Sequence, residues 1–213
     1  MGVFWRGMKV LRVSMRIISG QWKKQRLDLP QSTDARPTKD RVKEALFNIL
    51  ESRMLKNDDI PYHWNDILFV DGFAGSGSIG IEAMSRGAGH VVFVENNLNV
   101  IKVLETNVSK LKPAPHQKQT SMVKAFKNLL DVANVCHQTN KTFGRIIVYL
   151  DPPYLQGLEK IAIQSLLEKK FFSKKGLLII EESDQYCELP QDSFLKLVEE
   201  RRFGKSKLLM YEF

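Results

Sequence analysis

Hydrophobic and polar positions follow two alternating patterns along the middle of the chain. Short continuous apolar runs predict buried strands at 67–70, 91–94, 121–125, 145–150 and 177–181. Apolar residues three or four positions apart predict amphipathic helices at 78–86, 97–111, 126–136 and 158–169. Strands that alternate with helices in this way are typical of a mostly parallel sheet covered on both faces. The pattern therefore predicts the α/β fold class.

The C-terminal end departs from this alternation. Two apolar segments, 195–198 and 208–211, are separated by Arg201-Arg202-Phe203-Gly204, and no helical pattern fits between them. Consecutive strands joined by a short polar turn are typical of a hairpin. We therefore expect a closing antiparallel hairpin at the end of the sheet.

The N-terminal end also lacks helical periodicity up to residue 35. Residues 16–18 and 25–27 predict two short strands around Gly20, which together would form a small hairpin. After Arg36-Pro37-Thr38 the apolar spacing becomes helical, and Thr38 is suited to cap that helix. Arg41 and Lys43, near the start of the helix, are expected to face outward.

The net charge is concentrated in this N-terminal region. The whole chain of 213 residues has 32 basic and 24 acidic side chains, which gives a formal charge of +8. Residues 1–43 hold eleven Lys or Arg and three Asp, which also gives +8, so the remaining 170 residues are neutral overall. A basic arm on a neutral body favours a polyanionic partner, and nucleic acid first.

The composition also disfavours several classes of protein. No apolar run approaches the roughly 20 residues that cross a bilayer, and the first 25 residues lack the apolar centre of a secretory signal. Cys136 and Cys187 are too few for a disulfide framework or a cysteine-based zinc site, and the four histidines lack metal-ligand spacing. We therefore expect a cytoplasmic protein with no membrane partner and no metal.

A glycine-rich motif follows the first strand predicted for the sheet and opens the next helix. In Asp71-Gly72-Phe73-Ala74-Gly75-Ser76-Gly77-Ser78-Ile79-Gly80, the spacing G-x-G-x-x-G lets the backbone turn sharply and approach a ligand. Glu95 ends the next strand, where a carboxylate can accept hydrogen bonds from both ribose hydroxyls of an adenosine-type cofactor. The loop is compatible with a nicotinamide cofactor or with S-adenosylmethionine. Asp71 favours the latter, because a carboxylate attracts its cationic groups and repels a pyrophosphate.

A second motif, Asp151-Pro152-Pro153-Tyr154, follows the strand predicted at 145–150. Two prolines fix a rigid turn, and Pro152 has a carbonyl group but no N–H. Asp151 and the Pro152 carbonyl can accept the two hydrogen bonds of an exocyclic amino group, and Tyr154 offers an aromatic face to a base. Such a turn would position an amine nitrogen for methylation without a strong general base. A purely structural Asp-Pro-Pro turn is the alternative.

Together, the glycine loop, Glu95 and the Asp-Pro-Pro-Tyr turn resemble class I S-adenosylmethionine-dependent methyltransferases that act on amino groups. More narrowly, the chain from about Met15 to its C-terminus resembles the RsmD family of bacterial 16S rRNA guanine-N2 methyltransferases. The segments that carry this narrower resemblance are Met15-Arg16-Ile17-Ile18-Ser19-Gly20, Arg36-Pro37-Thr38, Arg41-Val42-Lys43-Glu44-Ala45-Leu46-Phe47-Asn48 and Phe73-Ala74-Gly75-Ser76-Gly77. The Asp-Pro-Pro-Tyr turn is shared with adenine-N6 methyltransferases of DNA and RNA.

The resemblance implies a Rossmann-like, seven-stranded, mostly parallel sheet that ends in an antiparallel hairpin. It divides the chain into an N-terminal extension at 1–14, a basic RNA-binding hairpin segment at 15–37 and a methyltransferase domain at 38–213. The implied partner is ribosomal RNA, within a small-subunit particle, and a monomer is the default oligomeric state.

The resemblance also implies roles for individual residues. The cofactor S-adenosylmethionine would be held by Asp71, Phe73, Ala74, Gly75, Ser76, Gly77, Gly80, Glu95 and Asn96. The catalytic residues, which would hold the target guanine amine, are Asp151, Pro152 and Tyr154. The RNA would be bound by Arg16, Trp22, Lys23, Lys24, Arg26, Arg36, Thr38 and Arg41.

Two alternatives stay open at the level of the sequence. The first is an adenine-N6 methyltransferase of DNA or another RNA, because basic residues that contact phosphates carry little sequence information. The second is a non-catalytic RNA-binding protein on a methyltransferase scaffold, since residues 123–126 supply no acidic group for the cofactor adenine. Measured binding of S-adenosylmethionine would separate the scaffold from an enzyme.

Overall fold

The structure is a computed structural model that describes residues 15–30, 37–56, 63–111, 121–123, 144–153, 158–168, 175–183 and 194–213. The strands are β1 (Met15–Arg16), β2 (Arg26–Leu27), β3 (Ile67–Asp71), β4 (His90–Val94), β5 (Ser121–Val123), β6 (Arg145–Leu150), β7 (Gly176–Ser183), β8 (Lys196–Phe203) and β9 (Ser206–Glu212). The helices are α1 (Pro37–Lys56), α2 (Ser78–Arg86), α3 (Leu98–Ser109) and α4 (Leu158–Glu168), with a single turn of 3-10 helix at Trp64–Asp66.

Strands β3 to β9 form one seven-stranded sheet in the order β5-β4-β3-β6-β7-β9-β8. The strands from β5 to β7 pair in parallel, whereas β9 lies antiparallel between β7 and β8. The predicted α/β class and closing hairpin are thus confirmed. The helices predicted at 78–86, 97–111 and 158–169 correspond to α2, α3 and α4, and the helix predicted at 126–136 lies outside the described residues.

The central strands are buried on both faces, which explains their continuous apolar runs. All five residues of β3 and all five of β4 are buried. One face of the sheet packs against α1, α2 and α3 through residues such as Leu46, Ile81 and Leu104. The other face packs against α4 through Ile163 and Leu166. The two helical layers leave the ends of the strands as the place where polar groups can gather.

The N-terminal hairpin is anchored to this core. Strands β1 and β2 pair antiparallel, with Met15 opposite Leu27 and Arg16 opposite Arg26. Ile17 and Leu27 are each 1% exposed and belong to the hydrophobic cluster that also contains α1 and β3. The basic side chains of the hairpin are therefore carried by an element that is fixed on the body of the protein.

Strand β8 is the outer strand at the end of the sheet that the C-terminal hairpin of β8 and β9 forms, and it carries charges on both faces. Arg201 pairs with Glu199 at 2.7 Å, and Arg202 pairs with Glu200 at 3.2 Å. Residues two apart in a strand share a face, so each face of β8 carries one ion pair. These two arginines are thus paired within their own strand.

One expectation about the start of α1 is wrong. Arg41 is exposed, as predicted, but Lys43 is fully buried. Its ammonium group donates to the carbonyl oxygen of Arg16 at 2.8 Å and to Ser78 Oγ at 3.1 Å. Burial lowers the pKa of Lys43, while the negative charges of Glu82 and Asp40 oppose that shift. These two hydrogen bonds, to acceptors in β1 and at the start of α2, explain how a lysine can be buried in this position.

Candidate active site

The carboxyl ends of β3, β4 and β6 lie side by side at the centre of the sheet. Asp71, the last residue of β3, lies opposite Phe93 of β4 and Tyr149 of β6. Glu95 and Asp151 follow these two neighbouring strands at the same edge. The order of the strands also reverses at β3, with β4 and β5 on one side and β6 and β7 on the other. Doubly wound sheets bind ligands in the crevice at such a point.

Asp71 is the most deeply buried acid of this crevice. It is 2% exposed, and its Oδ2 accepts a hydrogen bond of 2.8 Å from the backbone N–H of Gly80. Burial raises the pKa of Asp71 to about 7; the Gly80 N–H opposes this rise, and the charges of Asp151 and Glu95 add to it. A cation that enters the crevice near pH 7 would therefore favour the ionised form of Asp71.

Glu95 connects the glycine loop to the end of β4. Its Oε2 accepts a hydrogen bond of 3.0 Å from the N–H of Gly75, and its Oε1 accepts two bonds of 2.9 Å from the N–H groups of Asn96 and Asn97. A carboxylate offers about four lone-pair positions, so roughly one position on Oε2 stays available. Glu95 can thus accept one strong hydrogen bond from a ligand while it holds the loop. A bond to a second ribose hydroxyl would replace one of the backbone contacts.

The three glycines of the motif serve different purposes. Gly75 has a φ of +55°, and a Cβ at this position would meet its nearest neighbour only at 3.9 Å. A Cβ at Gly77 would lie 2.3 Å from Leu104, and a Cβ at Gly80 would lie 2.3 Å from Phe93. Gly77 and Gly80 therefore allow the loop to pack against α3 and β4. Among the described residues, Gly75 is the one of these three at which a Cβ would meet no atom closer than ordinary van der Waals contact.

The rest of the predicted cofactor loop lies around this backbone. Ala74, Ser76, Gly77 and Gly80 are buried, and Phe73 and Gly75 are half-buried. The N–H of Ala74 donates to the carbonyl oxygen of Val94, which holds the loop against the end of β4. Asn96 is exposed beside Glu95.

The turn after β6 brings the second motif to the same crevice. Asp151 is half-buried, Pro152 is buried and Pro153 is exposed, while Tyr154 lies outside the described residues. The negative charge of Asp151 acts on both Asp71 and Tyr149, so its carboxylate lies close to the end of β3. Asp71, Glu95 and Asp151 together make the crevice acidic. A cationic ligand fits this arrangement better than a pyrophosphate does.

A buried hydrogen bond supports the strand that carries this turn. The hydroxyl of Tyr149 donates to Glu181 Oε2 of β7 at 2.5 Å, and both residues are buried. Burial and the negative charge of Glu181 raise the pKa of Tyr149 well above its ordinary value. Tyr149 therefore remains a neutral donor over the physiological pH range, and its bond fixes β6 to β7 just before Asp151.

The predicted RNA-binding residues lie on and beside the hairpin. Arg16, Lys23, Lys24, Arg26 and Arg41 are exposed, and Trp22 is half-buried against the core cluster. Arg36 lies outside the described residues, and Thr38 is described only as part of the backbone of α1. A cavity of about 280 Å³ opens between the hairpin and the start of α1, and its lining consists of Arg16, Ile17, Ile18, Lys23, Lys24, Asp40 and Glu44.

Lys24 has an unusual backbone conformation. Its φ is +74°, and within the described part of the chain no other non-glycine residue has a positive φ. The left-handed region costs an L side chain roughly 1–2 kcal/mol, so glycine would be the less strained residue here. The strain is retained at a position where the side chain lines the cavity.

Of three buried polar residues of this region, the sequence analysis did not single out Glu82 and Asn107, and it expected Lys43 to face outward. Glu82 of α2 is fully buried and accepts bonds from the N–H groups of Ile18 and Ser19, at 2.7 and 2.9 Å. Asn107 of α3 and Lys43 of α1 are also fully buried and bond to the hairpin. Their partners lie 27 to 79 positions away along the chain. The available signal was a polar residue on the apolar face of each helix.

In the part of the chain that the structure describes, no group of three or more His, Cys, Asp or Glu could hold a metal ion. No helix in the same part of the chain is long and apolar enough to cross a membrane.

Comparisons with known proteins identify the family of the chain and several related structures. The family described as "Conserved hypothetical protein 95" matches residues 15–212. Ribosomal RNA small subunit methyltransferase D of Haemophilus influenzae is 34% identical over 200 residues, which cover 93% of each chain. The solved structure of yhhF from Escherichia coli is 28% identical, with a TM-score of 0.68 over 93% of this chain and 97% of that one.

A more distant structure shares the fold. Trm1 of Pyrococcus horikoshii, solved with S-adenosyl-L-methionine, has a TM-score of 0.57 at 12% identity, over 94% of this chain and 61% of that one. The family match and the curated relative each extend over nearly the whole of this chain. The protein therefore belongs to the Conserved hypothetical protein 95 family, the RsmD family of rRNA methyltransferases.

Proposed function

We propose that the protein transfers a methyl group from S-adenosylmethionine to the exocyclic N2 of a guanine in 16S ribosomal RNA, as a cytoplasmic monomer. The observation that carries this proposal is the convergence of Asp71, Glu95 and Asp151 at the ends of three adjacent strands. The names of the relatives, which are rRNA small-subunit methyltransferases, support the RNA substrate. The ligand of the Pyrococcus Trm1 structure supports the cofactor.

The residues of the crevice fit S-adenosylmethionine. Within the described part of the chain, no atom lies closer than 3.9 Å to a Cβ placed at Gly75. Glu95 keeps an acceptor position, and Asp71 adds a buried acid. We assign the ribose to Glu95 and the cationic end to Asp71. When bound, the cofactor supplies a methyl group on a positively charged sulfur. Phe73, Ala74, Ser76, Gly77, Gly80 and Asn96 complete the proposed site.

The turn after β6 would hold the nucleophile. The Asp151 carboxylate accepts one N–H of the guanine amine, and the Pro152 carbonyl accepts the other. These two bonds orient the lone pair of the nitrogen, and orientation is the main requirement when the methyl donor is already cationic. As the N–C bond forms and the S–C bond breaks, the amine loses one N–H proton, which the Asp151 carboxylate would accept. Tyr154, for which stacking on the base is predicted, would complete this part of the site.

The hairpin would bind the RNA backbone. Arg16, Lys23 and Lys24 of the hairpin line a cavity beside α1, together with Asp40 and Glu44. The net charge of the chain lies in residues 1–43, which include this hairpin. Phosphate contacts from such residues fix the register of an RNA without reading its sequence. We propose that the substrate is the small-subunit particle, in which ribosomal proteins present the target nucleotide.

The experiment uses small-subunit particles from cells that lack this protein. The particles are incubated with the protein and labelled S-adenosylmethionine, the RNA is digested, and the methylated nucleoside is identified by mass. We expect N2-methylguanosine with the wild type and none with Asp151→Ala. Label in N6-methyladenosine would instead identify an adenine methyltransferase. An absence of label in particles, rRNA and DNA, together with no binding of the cofactor, would support a non-catalytic scaffold.

A further inference from the structure

Two fully buried polar side chains connect the N-terminal hairpin to the glycine loop. Asn107 of α3 is the first. Its Oδ1 accepts a bond of 2.8 Å from the N–H of Asp28, just after β2. Its Nδ2 donates to the carbonyl oxygens of Asp28 and Ser76, at 3.0 and 2.9 Å. One amide group thus pairs with the end of the hairpin in the manner of a neighbouring strand and also holds the glycine loop.

Lys43 of α1 forms the second connection. Its Nζ donates to the carbonyl oxygen of Arg16 in β1 and to Ser78 Oγ at the first position of α2. Ser76 and Ser78 lie on either side of Gly77, where the backbone has a φ of +81°. Both strands of the hairpin are therefore tied to the same bend of the cofactor loop.

Contacts along α2 make the hairpin a rigid extension of that bend. Glu82 accepts the N–H groups of Ile18 and Ser19, and Ser85 Oγ donates to the carbonyl oxygen of Ser19 at 2.6 Å. A Cβ at Gly20 would lie 1.9 Å from the carbonyl oxygen of Ser85, so the two backbones are in direct contact. These contacts connect the position of the hairpin to the position of α2 and of the loop that precedes it.

We propose that Asn107 and Lys43 are positioning residues that couple RNA binding at the hairpin to cofactor binding at the glycine loop. The inference rests on the proposed function, which assigns these two ligands to the two ends of the connection. RNA that binds to the hairpin restrains residues 76–78 through the two buried side chains. This restraint increases the affinity for the cofactor by some factor. By linkage, the cofactor must then increase the affinity for RNA by the same factor.

A purely structural role predicts a different result. If Asn107 and Lys43 only stabilise the fold, their loss lowers the affinities for cofactor and RNA together, or changes neither. The ratio between the cofactor affinity with RNA and the cofactor affinity without RNA then stays the same. If they transmit the restraint, the ratio itself falls. The discriminating quantity is therefore the dissociation constant of the cofactor measured with and without RNA.

The test uses S-adenosylhomocysteine, which cannot donate a methyl group, and, as the RNA ligand, small-subunit particles from cells that lack this protein. The affinity for S-adenosylhomocysteine is measured by calorimetry, with and without saturating particles, for the wild type, Lys43→Met and Asn107→Ala. Lys43→Met keeps the length of the side chain and removes both hydrogen bonds. Lys102→Met and Asn99→Ala, at exposed positions of α3, make the matched changes outside the connection.

We expect RNA to tighten cofactor binding by about fivefold or more in the wild type and in both controls, which is the lower end of typical coupling. The factor should fall to below half of that value in Lys43→Met and in Asn107→Ala. A wild-type factor of one, with both ligands bound, would overturn the proposal and leave the proposed function intact. An unchanged factor in the variants would also overturn it, whereas a wild type that binds neither ligand would contradict the proposed function itself.

A measurement on the wild type alone covers the case in which a variant does not fold. Hydrogen exchange of the peptide that spans residues 74–81 is followed while RNA is added without cofactor. The proposal expects slower exchange at Gly77 and Gly80 on RNA binding, because the connection restrains this bend. Exchange that stays unchanged there while the hairpin becomes protected would overturn the coupling.

Discussion

Asp71→Asn is expected to have opposite effects on the stability of the protein and on its affinity for the cofactor. The substitution keeps the size of the side chain and an oxygen that can accept the N–H of Gly80. It removes the titration of a carboxyl group that is 2% exposed. The comparison therefore isolates the effect of placing an ionisable acid at the centre of the crevice.

The magnitude follows from the pKa of Asp71, which rises from 3.8 to about 7 on folding. Below pH 3.8 the carboxyl group is protonated in both states and adds no pH dependence. Between pH 3.8 and 7 the unfolded chain loses this proton first, so the free energy of unfolding falls by about 1.36 kcal/mol per pH unit. Over that interval of about three units the loss reaches at most about 4 kcal/mol, and it is complete above pH 7.

Urea unfolding of the wild type and Asp71→Asn at pH 5, 6, 7 and 8 measures this loss. The stability of the variant relative to the wild type should rise by about 1.4 kcal/mol from pH 5 to 6 and level off above pH 7. Glu105→Gln, at an exposed position of α3, is the control, and it should give parallel curves. Calorimetry with S-adenosylmethionine should show an affinity that increases through pH 7 in the wild type and is weaker and flat in the variant.

Two results would refute this reasoning. A difference in stability that does not change with pH would mean that Asp71 does not carry the raised pKa. An affinity that is equal in both proteins at pH 8 would mean that the charge of Asp71 does not act on the ligand. The first result would contradict the electrostatics of the crevice, and the second would contradict the proposed role of Asp71 in cofactor binding.

Three further substitutions test the other parts of the site. Asp151→Ala should abolish most methyl transfer to particles and change the dissociation constant of the cofactor by less than about threefold; an equal loss of both would contradict its role in holding the amine. Glu95→Ala should weaken the cofactor by about 1–3 kcal/mol in calorimetry, since it strands the N–H of Gly75 and the ribose, and an unchanged affinity would exclude the ribose role. Lys24→Gly should leave the free energy of unfolding unchanged or raise it by up to about 1 kcal/mol, yet it should lower the slope of log affinity for rRNA against log salt by up to ~0.7–0.9; an unaltered slope would make Lys24 a bystander.

The parts of the fold that depend on local pattern were predictable. The runs at 67–70 and 91–94 are uninterrupted because β3 and β4 are covered on both faces, and the sequence shows this directly. The glycine loop and Glu95 could also be found, because the spacing of the motif reflects a turn between one strand and one helix. Asp71, Glu95 and Asp151 lie at or just after the carboxyl ends of three parallel strands, so the topology places them at one edge of the sheet.

The polar interior could not be predicted in the same way. Lys43 was expected to face solvent, because a lysine near the start of a helix usually does, yet it is fully buried. Its acceptors, the carbonyl oxygen of Arg16 and Ser78 Oγ, lie 27 and 35 positions away. Asn107 has partners as far as 79 positions away. Such long-range pairs depend on how the hairpin lies on the sheet, which periodicity does not encode.

The charged outer strand β8 has a consequence for the behaviour of the protein at high concentration. An outer strand exposes unpaired backbone groups that can extend the sheet into a second molecule. The ion pairs Arg201–Glu199 and Arg202–Glu200 place charges on both faces of β8, and an incoming strand would have to desolvate them. Edge-to-edge aggregation during synthesis or refolding is thereby opposed at this side of the sheet. Salt that screens these charges should make refolding more prone to aggregation.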